Sequence, residues 1–267
     1  MSIRNILLPV ANRPECLLAM DKATALARDL GANLTGCHVV PDPHDRKKED
    51  GKRAEEARAM FEKEAANHGL ELVTKSRGGT DPSAMWIEAQ GNPAHVLPVV
   101  GRTADLIVVS RPHSTKSKMA HAFLKAAVLE TGRPVLVMPQ KRHAHLTRHI
   151  GIAWNRSSEA ARAVKLAMPL LQAAGKVTLY EVTGDTRLGP KAKDMAQYLA
   201  WHGVRAKVRV LRGKGATEHV LIEELQADEV DAVVMGAYSH ARLMEVVFSG
   251  VSQFMLYEAR MPVFVVH

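Results

Sequence analysis

The chain has 267 residues, of which 46% are hydrophobic and 24% charged, a composition typical of a globular protein. The formal net charge of +8 favours polyanions in general, but an aromatic fraction of 4% argues against a base-stacking surface for nucleic acid. No apolar run is long enough to span a bilayer, and the two cysteines match neither a disulfide framework nor a metal pair. These observations predict a cytoplasmic protein.

The first half alternates β-branched runs with segments of helical period. Strands are predicted at 3–10, 33–40, 70–75, 105–110 and 134–139. Helices are predicted at 14–30, 54–68, 83–100 and 117–130. Because the strands are apolar almost throughout, we expect them to be buried on both faces of a parallel sheet.

A polar, charged stretch at residues 140–147 follows, as is typical of an interdomain linker. The second half then repeats the alternation. Its predicted strands are 149–154, 176–182, 205–211, 231–236 and 262–267. Its predicted helices are 157–174, 190–202, 216–227 and 249–259.

Three sequence landmarks recur in the same order in both halves. The matched segments are 4–9 with 148–153, 104–109 with 230–235, and 132–139 with 259–267. The spacing from the aspartate of the second landmark to the proline of the third differs by only two residues between the halves. The sequence therefore predicts an α/β protein with two tandem doubly wound parallel five-stranded sheets, in domains at 1–140 and 148–267.

Residues suited to phosphate follow the fourth predicted strand of the second half. Gly236 lets the backbone turn sharply and leaves no side chain between main-chain amides and a ligand. Residues 249–252 would open the next helix, where unpaired amides favour an anion. The side chains that could add contacts to phosphate are Ser239, Ser249, Ser252 and Arg242. The pattern indicates a phosphate chain held between turn and helix.

This turn resembles the ATP-binding turn of universal stress proteins, which reads Gly-x-x-Gly, nine residues, then Gly-Ser/Thr. Gly236 begins the motif here, and Ser239 stands at the second glycine. After nine residues, Ser249-Gly250 replaces Gly-Ser. The resemblance covers the whole chain through its repeated βα order. It implies an adenine-nucleotide alpha-hydrolase-like fold and ATP in the second domain.

The resemblance also implies contacts to the base. The family commonly has an Asp after the first strand, where Asn155 stands here, and an amide both donates and accepts hydrogen bonds. Trp154 could stack on a base or belong to the core, and the family's contact near the end of the second strand falls at Val182. The residues implied for cofactor binding are Ala153, Trp154, Asn155, Val182, Met235, Gly236, Ser239, Arg242, Ser249, Gly250, Val251 and Ser252.

The corresponding turn of the first half, residues 110–118, lacks glycine and contains Pro112, which has no N–H to donate. Residues 10–13, after the first strand, also lack the Asp. We therefore predict that the first half binds no nucleotide and is structural. Since family members often associate through the final strand, the two halves could form a pseudo-dimer within the chain, and two chains could join further as a homodimer.

Other interpretations stay open. Gly236 could serve only the turn, and Ser249 and Ser252 could be only helix caps. The histidines near the linker, His143, His145 and His149, lack nearby carboxylates in sequence, so no metal site is predicted.

No nucleophile–base pair appears, and no enzyme activity is predicted, although slow ATP hydrolysis stays conceivable. The predicted function is a stress-response, ATP-type nucleotide-binding protein; the alternative is an interaction scaffold with both sites degenerate.

Overall fold

The computed structural model describes residues 2–11, 13–45, 47–76, 78–112, 118–140, 145–182, 188–212, 217–237 and 250–267. The chain divides into two compact units, Ser2–Lys141 and Arg142–His267. In each unit, helices connect strands that pair in parallel, which is the doubly wound α/β architecture that the sequence predicts. Among the described residues, every helix is too short or too polar for a membrane span.

The first unit has its strands in the order β3-β4-β2-β1-β5-β6. Its strands are β1 (Asn5–Pro9), β2 (Asn33–Val40), β3 (Glu71–Leu72), β4 (Ser83–Gln90), β5 (Leu106–Ser110) and β6 (Val135–Met138). Its α-helices are α1 (Pro14–Leu30), α2 (Lys48–Asn67), α3 (Pro93–Val100) and α4 (Lys118–Glu130). The chain runs outward from β1 through β2, then returns to place β5 on the other side of β1. The carboxyl ends of β1 and β5 therefore flank a topological switch point, the usual ligand position of such sheets.

The second unit has the order β11-β10-β7-β8-β9. Its strands are β7 (His149–Ala153), β8 (Lys176–Val182), β9 (Ala206–Leu211), β10 (Ala232–Gly236) and β11 (Val263–Val266). Its α-helices are α5 (Ser158–Leu166), α6 (Met168–Gln172), α7 (Ala192–Trp201), α8 (Thr217–Ala227) and α9 (Val251–Tyr257). The switch point here lies between β7 and β10.

One predicted element of the first unit is wrong. Residues 83–100 do not form a single helix, because Ser83–Gln90 is strand β4 and pairs with β2 along its full length. Gly91 has a positive φ and separates β4 from α3. Asn92 then caps α3 by accepting a hydrogen bond from the Ala94 N–H. Pairing with a buried neighbour strand overrides a composition of Ala, Met, Glu and Gln that favours helix. The predicted strand at 70–75 is reduced to the two-residue β3. With β4 added to the five predicted strands, this sheet has six strands.

The recurring aspartates of the sequence landmarks have the same structural task in both units. The Asp105 carboxylate accepts a hydrogen bond from the Asn5 N–H (3.0 Å), and Asp231 accepts one from the His149 N–H (2.7 Å). The bond of Asp105 ties the start of β5 to the start of β1, and the bond of Asp231 ties the start of β10 to the start of β7. The repeat in sequence is therefore a repeat in hydrogen bonding, at the sheet edge opposite the ligand position.

Candidate functional site

The predicted site of the second unit lies at the carboxyl ends of neighbouring parallel strands. Ala153 pairs with Met235 on one side and with Tyr180 on the other, so the ends of β7, β10 and β8 meet. The predicted residues at these strand ends are Ala153, Trp154, Asn155, Val182, Met235 and Gly236. Gly250, Val251 and Ser252 lie at the start of α9. Ser239, Arg242 and Ser249 lie outside the described residues.

Trp154 is enclosed by its own unit. Its residue is 3% exposed, and its indole Nε1 donates a hydrogen bond to the Pro190 carbonyl at 2.9 Å. Pro190 directly precedes Lys191, the N-cap residue of α7. The indole ring therefore bridges the end of β7 and the start of α7. A base could stack on it only after the segment containing Pro190 has moved.

An ion pair closes the same region. Arg156, which has a positive φ of 61°, donates from Nε to the Glu181 carboxylate at 2.6 Å. The other oxygen of Glu181 accepts from the Ala192 N–H (2.9 Å), and Glu181 is buried. A Cβ added to Gly189 would lie 2.6 Å from the Arg156 carbonyl oxygen, so the backbones touch there. We call Trp154, Arg156, Glu181, Gly189 and Pro190 the clasp.

Sequence reasoning missed Arg156 and Glu181 as parts of this site. The available signal was the acidic Glu181 inside the apolar run of β8, since a buried carboxylate needs a cation or N–H donors nearby. Its partners come from two other segments, so no local pattern identifies them.

Asn155 is engaged in starting α5. Its side-chain oxygen accepts from the Ser157 hydroxyl (2.7 Å) and from the Ser157 N–H (3.2 Å). The Ser157 hydroxyl oxygen in turn accepts from the Ala160 N–H (3.1 Å), the N-cap bond of the helix. The position that the resemblance assigns to base contact thus has a helix-capping task in this structure.

The two glycines of the predicted turn are constrained differently. A Cβ on Gly236 would lie 2.4 Å from the Ala160 nitrogen, so glycine is needed there for α5 to pack on β10. Gly250 adopts φ 59° and ψ −125° directly before α9, a conformation that favours glycine for its backbone. Gly250 has no side chain, so the N-cap residue itself supplies no side-chain bond to the first amides of α9.

The first unit has open space at the equivalent edge. Val10 follows β1 and donates from its N–H to the Cys37 carbonyl (2.8 Å), as Trp154 does to Tyr180 (2.9 Å). A cavity of about 350 Å³ lies beside Val10, a size within the range of about 300–1,000 Å³ for small-molecule sites. Its walls include Val10, Arg13, His38, Arg53, Met119 and Phe123. A smaller cavity of about 40 Å³ shares Val10 and reaches Cys16 and Ser110.

His38 gives this cavity its most defined polar group. Its Nδ1 lies 2.8 Å from the Val10 carbonyl oxygen, which can only accept, so Nδ1 carries the hydrogen. In the neutral ring, Nε2 is then an acceptor. The imidazole lies parallel to the Trp86 ring, with 6.1 Å between centroids and 16° between planes.

The histidines near the linker have different surroundings. His143 lies outside the described residues, and His145 is exposed. His149 is buried, with Nδ1 at 3.0 Å from the Asp228 carbonyl and Nε2 at 2.9 Å from the Thr178 hydroxyl. Both ring nitrogens of His149 thus hydrogen-bond to neighbouring strands and turns of the same unit.

Comparisons with known proteins match both units to one family. The profile of the Universal stress protein family matches residues 2–139 and 147–267. A universal stress protein from Archaeoglobus fulgidus DSM 4304 is similar at a TM-score of 0.78 and 15% identity, covering 99% of this chain and 96% of that chain. A putative universal stress protein from Pseudomonas aeruginosa UCBPP-PA14 has a TM-score of 0.60 and 14% identity, with 99% and 93% covered.

A universal stress protein in complex with cAMP matches 53% of this chain and 100% of its own length, at 14% identity and a TM-score of 0.42. A comparison with curated proteins finds no match. At these identities, the first two structures show the shared fold and nothing about the ligand.

Proposed function

Because the chain belongs to the universal stress protein family, we propose that it is a stress-response protein that binds an adenine nucleotide of the ATP type in the second unit. The phosphate chain would lie between the end of β10 and the start of α9. Gly250 carries this proposal, since its positive φ directly before α9 leaves no Cβ beside the main-chain amides there. Such amides bind anions at the start of a helix.

The clasp limits where the base of a bound nucleotide can lie. With Trp154 bonded to Pro190 and Arg156 bonded to Glu181, the strand ends that contact a base in the family pattern are covered. In this proposal, either the clasp opens when nucleotide binds, or the base lies outside it. Trp154 fluorescence would change in the first case and stay constant in the second.

The test compares two glycines of the second unit that both have positive φ. Gly250→Ala places a Cβ in a strained backbone at the proposed phosphate site. Gly203→Ala also places a Cβ at a positive φ, at a cost of about 1 kcal/mol, before β9, at the opposite edge of the sheet, where the Cβ meets open space. We expect titration calorimetry to show ATP binding weakened at least about tenfold in Gly250→Ala and unchanged in Gly203→Ala.

Equal ATP affinity of the wild type and both variants would refute the phosphate site. ADP, AMP and cAMP belong in the same series, because loss of affinity as phosphates are removed measures the phosphate contribution. Gly236 is a poor probe, since any side chain there collides with α5 whether or not a nucleotide binds.

A second candidate is an interaction scaffold that binds no nucleotide. The clasp favours it, because the buried Trp154 occupies the end of β7 with a side chain of the protein itself. Mass spectrometry of small molecules released from freshly purified, denatured protein distinguishes the two. Released adenine nucleotide supports the first proposal; its absence, with no affinity for ATP, ADP or AMP, supports the scaffold. Cytoplasmic location, the pseudo-dimer and the homodimer stay predictions.

A further inference from the structure

Three side chains of metal-binding type meet between α1 and α2 of the first unit. They are Asp21 on α1, Glu64 in the last turn of α2, and His68, the residue that ends α2. One nitrogen or oxygen atom from each lies within 4.8 Å of the other two. The helix α2 begins at the carboxyl edge of the sheet, where Asp50 lines the cavity described above. The cluster lies near the other end of α2, away from the usual ligand position of the fold.

The Nε2 atom of His68 faces both carboxylates. It lies 3.2 Å from Oδ1 of Asp21 and 3.2 Å from Oε1 of Glu64. Whatever its charge, the ring has at most one N–H at Nε2 to share between these two oxygens. A tetrahedral zinc ion with bonds of about 2.0–2.1 Å holds its ligand atoms about 3.3 Å apart. Two of the three ligand-to-ligand distances of such a site are therefore present, and the third, at most 4.8 Å, shortens when a carboxylate rotates.

The other oxygen of each carboxylate is held by a different donor. Oδ2 of Asp21 pairs with the Lys22 ammonium at 3.2 Å. Oε2 of Glu64 accepts a hydrogen bond from the Asn67 amide at 3.3 Å. Outer contacts of this kind orient the ligands of metal sites. They leave Oδ1 and Oε1 turned toward His68, and with Lys22 counted and the imidazole neutral, the cluster keeps one net negative charge, which favours a cation.

The cluster is partly buried and open on one side. The side chains of His68, Glu64 and Asp21 are 17%, 26% and 40% exposed. Partial burial makes two adjacent carboxylates costly without a cation, while the exposed side admits an ion and a water ligand. Within the described residues, Nδ1 of His68 is buried without a hydrogen-bond partner. It lacks a partner whichever ring nitrogen carries the hydrogen, so this cost is common to the empty and the metal-bound site.

The second unit has the same histidine without the carboxylates. His202 ends α7 as His68 ends α2, with φ −96° against −95°, and a glycine of positive φ follows each. Four residues before His202 stands Tyr198, whose ring packs on the imidazole with 4.7 Å between centroids. Glu64 holds that place relative to His68. A histidine here therefore ends the helix without carboxylates, and the acidic pair of the first unit has no part in that task.

From this geometry we propose that Asp21, Glu64 and His68 bind one divalent transition-metal ion, with zinc as the favoured ion, and that the ion joins α1 to α2. The ligand atoms are Oδ1, Oε1 and Nε2, and a water molecule completes the tetrahedron. One imidazole with two carboxylates suits zinc, whereas magnesium prefers octahedral oxygen ligands. No local motif predicts this site, because Asp21 and His68 are 47 residues apart. The proposal concerns the first unit and does not depend on nucleotide binding.

Zinc titration of the full chain, stripped with EDTA and dialysed, tests the site by calorimetry. We expect the wild type to bind zinc and His68→Gln to bind it at least about tenfold more weakly, since a ligand is lost. His202→Gln is the matched control, because it removes the same residue from the end of the equivalent helix, and its zinc affinity should equal that of the wild type. No zinc binding by the folded wild type, or equal affinity in His68→Gln, would overturn the proposal.

Two further variants test the carboxylates with His68 in place. Asp21→Asn and Glu64→Gln should each weaken zinc binding at least about tenfold, because each replaces a charged ligand with a neutral amide. Glu62→Gln removes one negative charge from the same helix outside the cluster and should leave the affinity unchanged. If Glu62→Gln weakens zinc binding as much as Glu64→Gln does, zinc is attracted by the general charge of α2 and the proposed site is wrong.

Thermal unfolding tests whether the ion joins the two helices. Zinc should raise the Tm of the wild type and of His202→Gln, and should leave that of His68→Gln unchanged. Circular dichroism without zinc shows whether each variant folds, and if His68→Gln does not, Asp21→Asn on the partly exposed face of α1 carries the test. A zinc-dependent rise as large in Asp21→Asn as in the wild type would refute the link. ATP affinity, measured without zinc, should be the same in both, so each proposal can fail independently of the other.

Discussion

The ends of β1 and β7 occupy equivalent places in two units of the same fold, yet one borders a cavity and the other a packed clasp. Val10 is small, and about 350 Å³ lies open beside it. Trp154 is large, and it is buried with its N–H bonded to Pro190. The comparison shows that equivalent strand ends of one fold can border a cavity in one unit and packed side chains in the other.

Trp154→Val should have the largest effect among the tests of this comparison, because it gives the second unit the same side chain that the first unit has at Val10. Loss of a buried tryptophan should lower the free energy of unfolding by about 3–5 kcal/mol. Urea denaturation measures this loss. The reciprocal control, Val10→Trp, should lower the free energy of unfolding by less than about 1 kcal/mol if the cavity accepts the ring. A loss below about 1 kcal/mol in Trp154→Val would mean that the indole is not part of the core.

Gly236→Ser exchanges the residue at the end of β10 for Ser110, its counterpart at the end of β5. The serine Cβ would meet the α5 backbone at 2.4 Å, so the unfolding free energy should fall by about 3 kcal/mol. Ser110→Gly, the reverse exchange, should cost about 1 kcal/mol or less. Equal losses of unfolding free energy in Gly236→Ser and Ser110→Gly, measured by denaturation, would contradict the packing role of Gly236.

Arg156 tests the ionic part of the clasp and its backbone together. Arg156→Ala removes the cation from buried Glu181 and leaves a Cβ at φ 61°, which should cost about 2 kcal/mol. Arg156→Gly removes the same ion pair without the strain of a positive φ, so it should be about 1 kcal/mol more stable than Arg156→Ala. The reverse order in thermal or urea unfolding would show that the backbone there is unstrained.

His149 and Asn5 begin equivalent strands, and only His149 titrates. Burial, together with the nearby charge of Lys176, lowers the pKa of His149 below its ordinary 6.5. As the pH falls below 6.5, the unfolded chain takes up a proton that folded His149 does not, so stability falls until the lower pKa of the folded state is passed.

His149→Asn removes this pH dependence of stability, because it introduces the non-titrating residue that the first unit has at Asn5. The loss of stability between pH 7.5 and pH 5.5 should be smaller in this variant than in the wild type, and we expect it to be the smallest of the four effects. Identical losses, measured by urea denaturation at both pH values, would contradict a neutral buried His149.

Local patterns predicted most of the fold. The apolar strands and the glycine-terminated helices depend on residues close in the chain, and the family match confirms the tandem architecture. Strand β4 was missed because Ser83–Gln90 has a helix-like composition, and only its pairing with β2 makes it a strand. Pairing between distant segments leaves no periodic signal in the strand itself.

The sequence by itself determined the duplication, the parallel α/β architecture and the edge of each sheet where a ligand would lie. Tertiary structure alone decided that this edge is open beside Val10 and closed beside Trp154. The reason is that the clasp depends on contacts between segments about 25 to 36 residues apart, Arg156 with Glu181 and Trp154 with Pro190. Whether a cavity exists depends on how such distant side chains fill the space, and a local pattern does not contain that information.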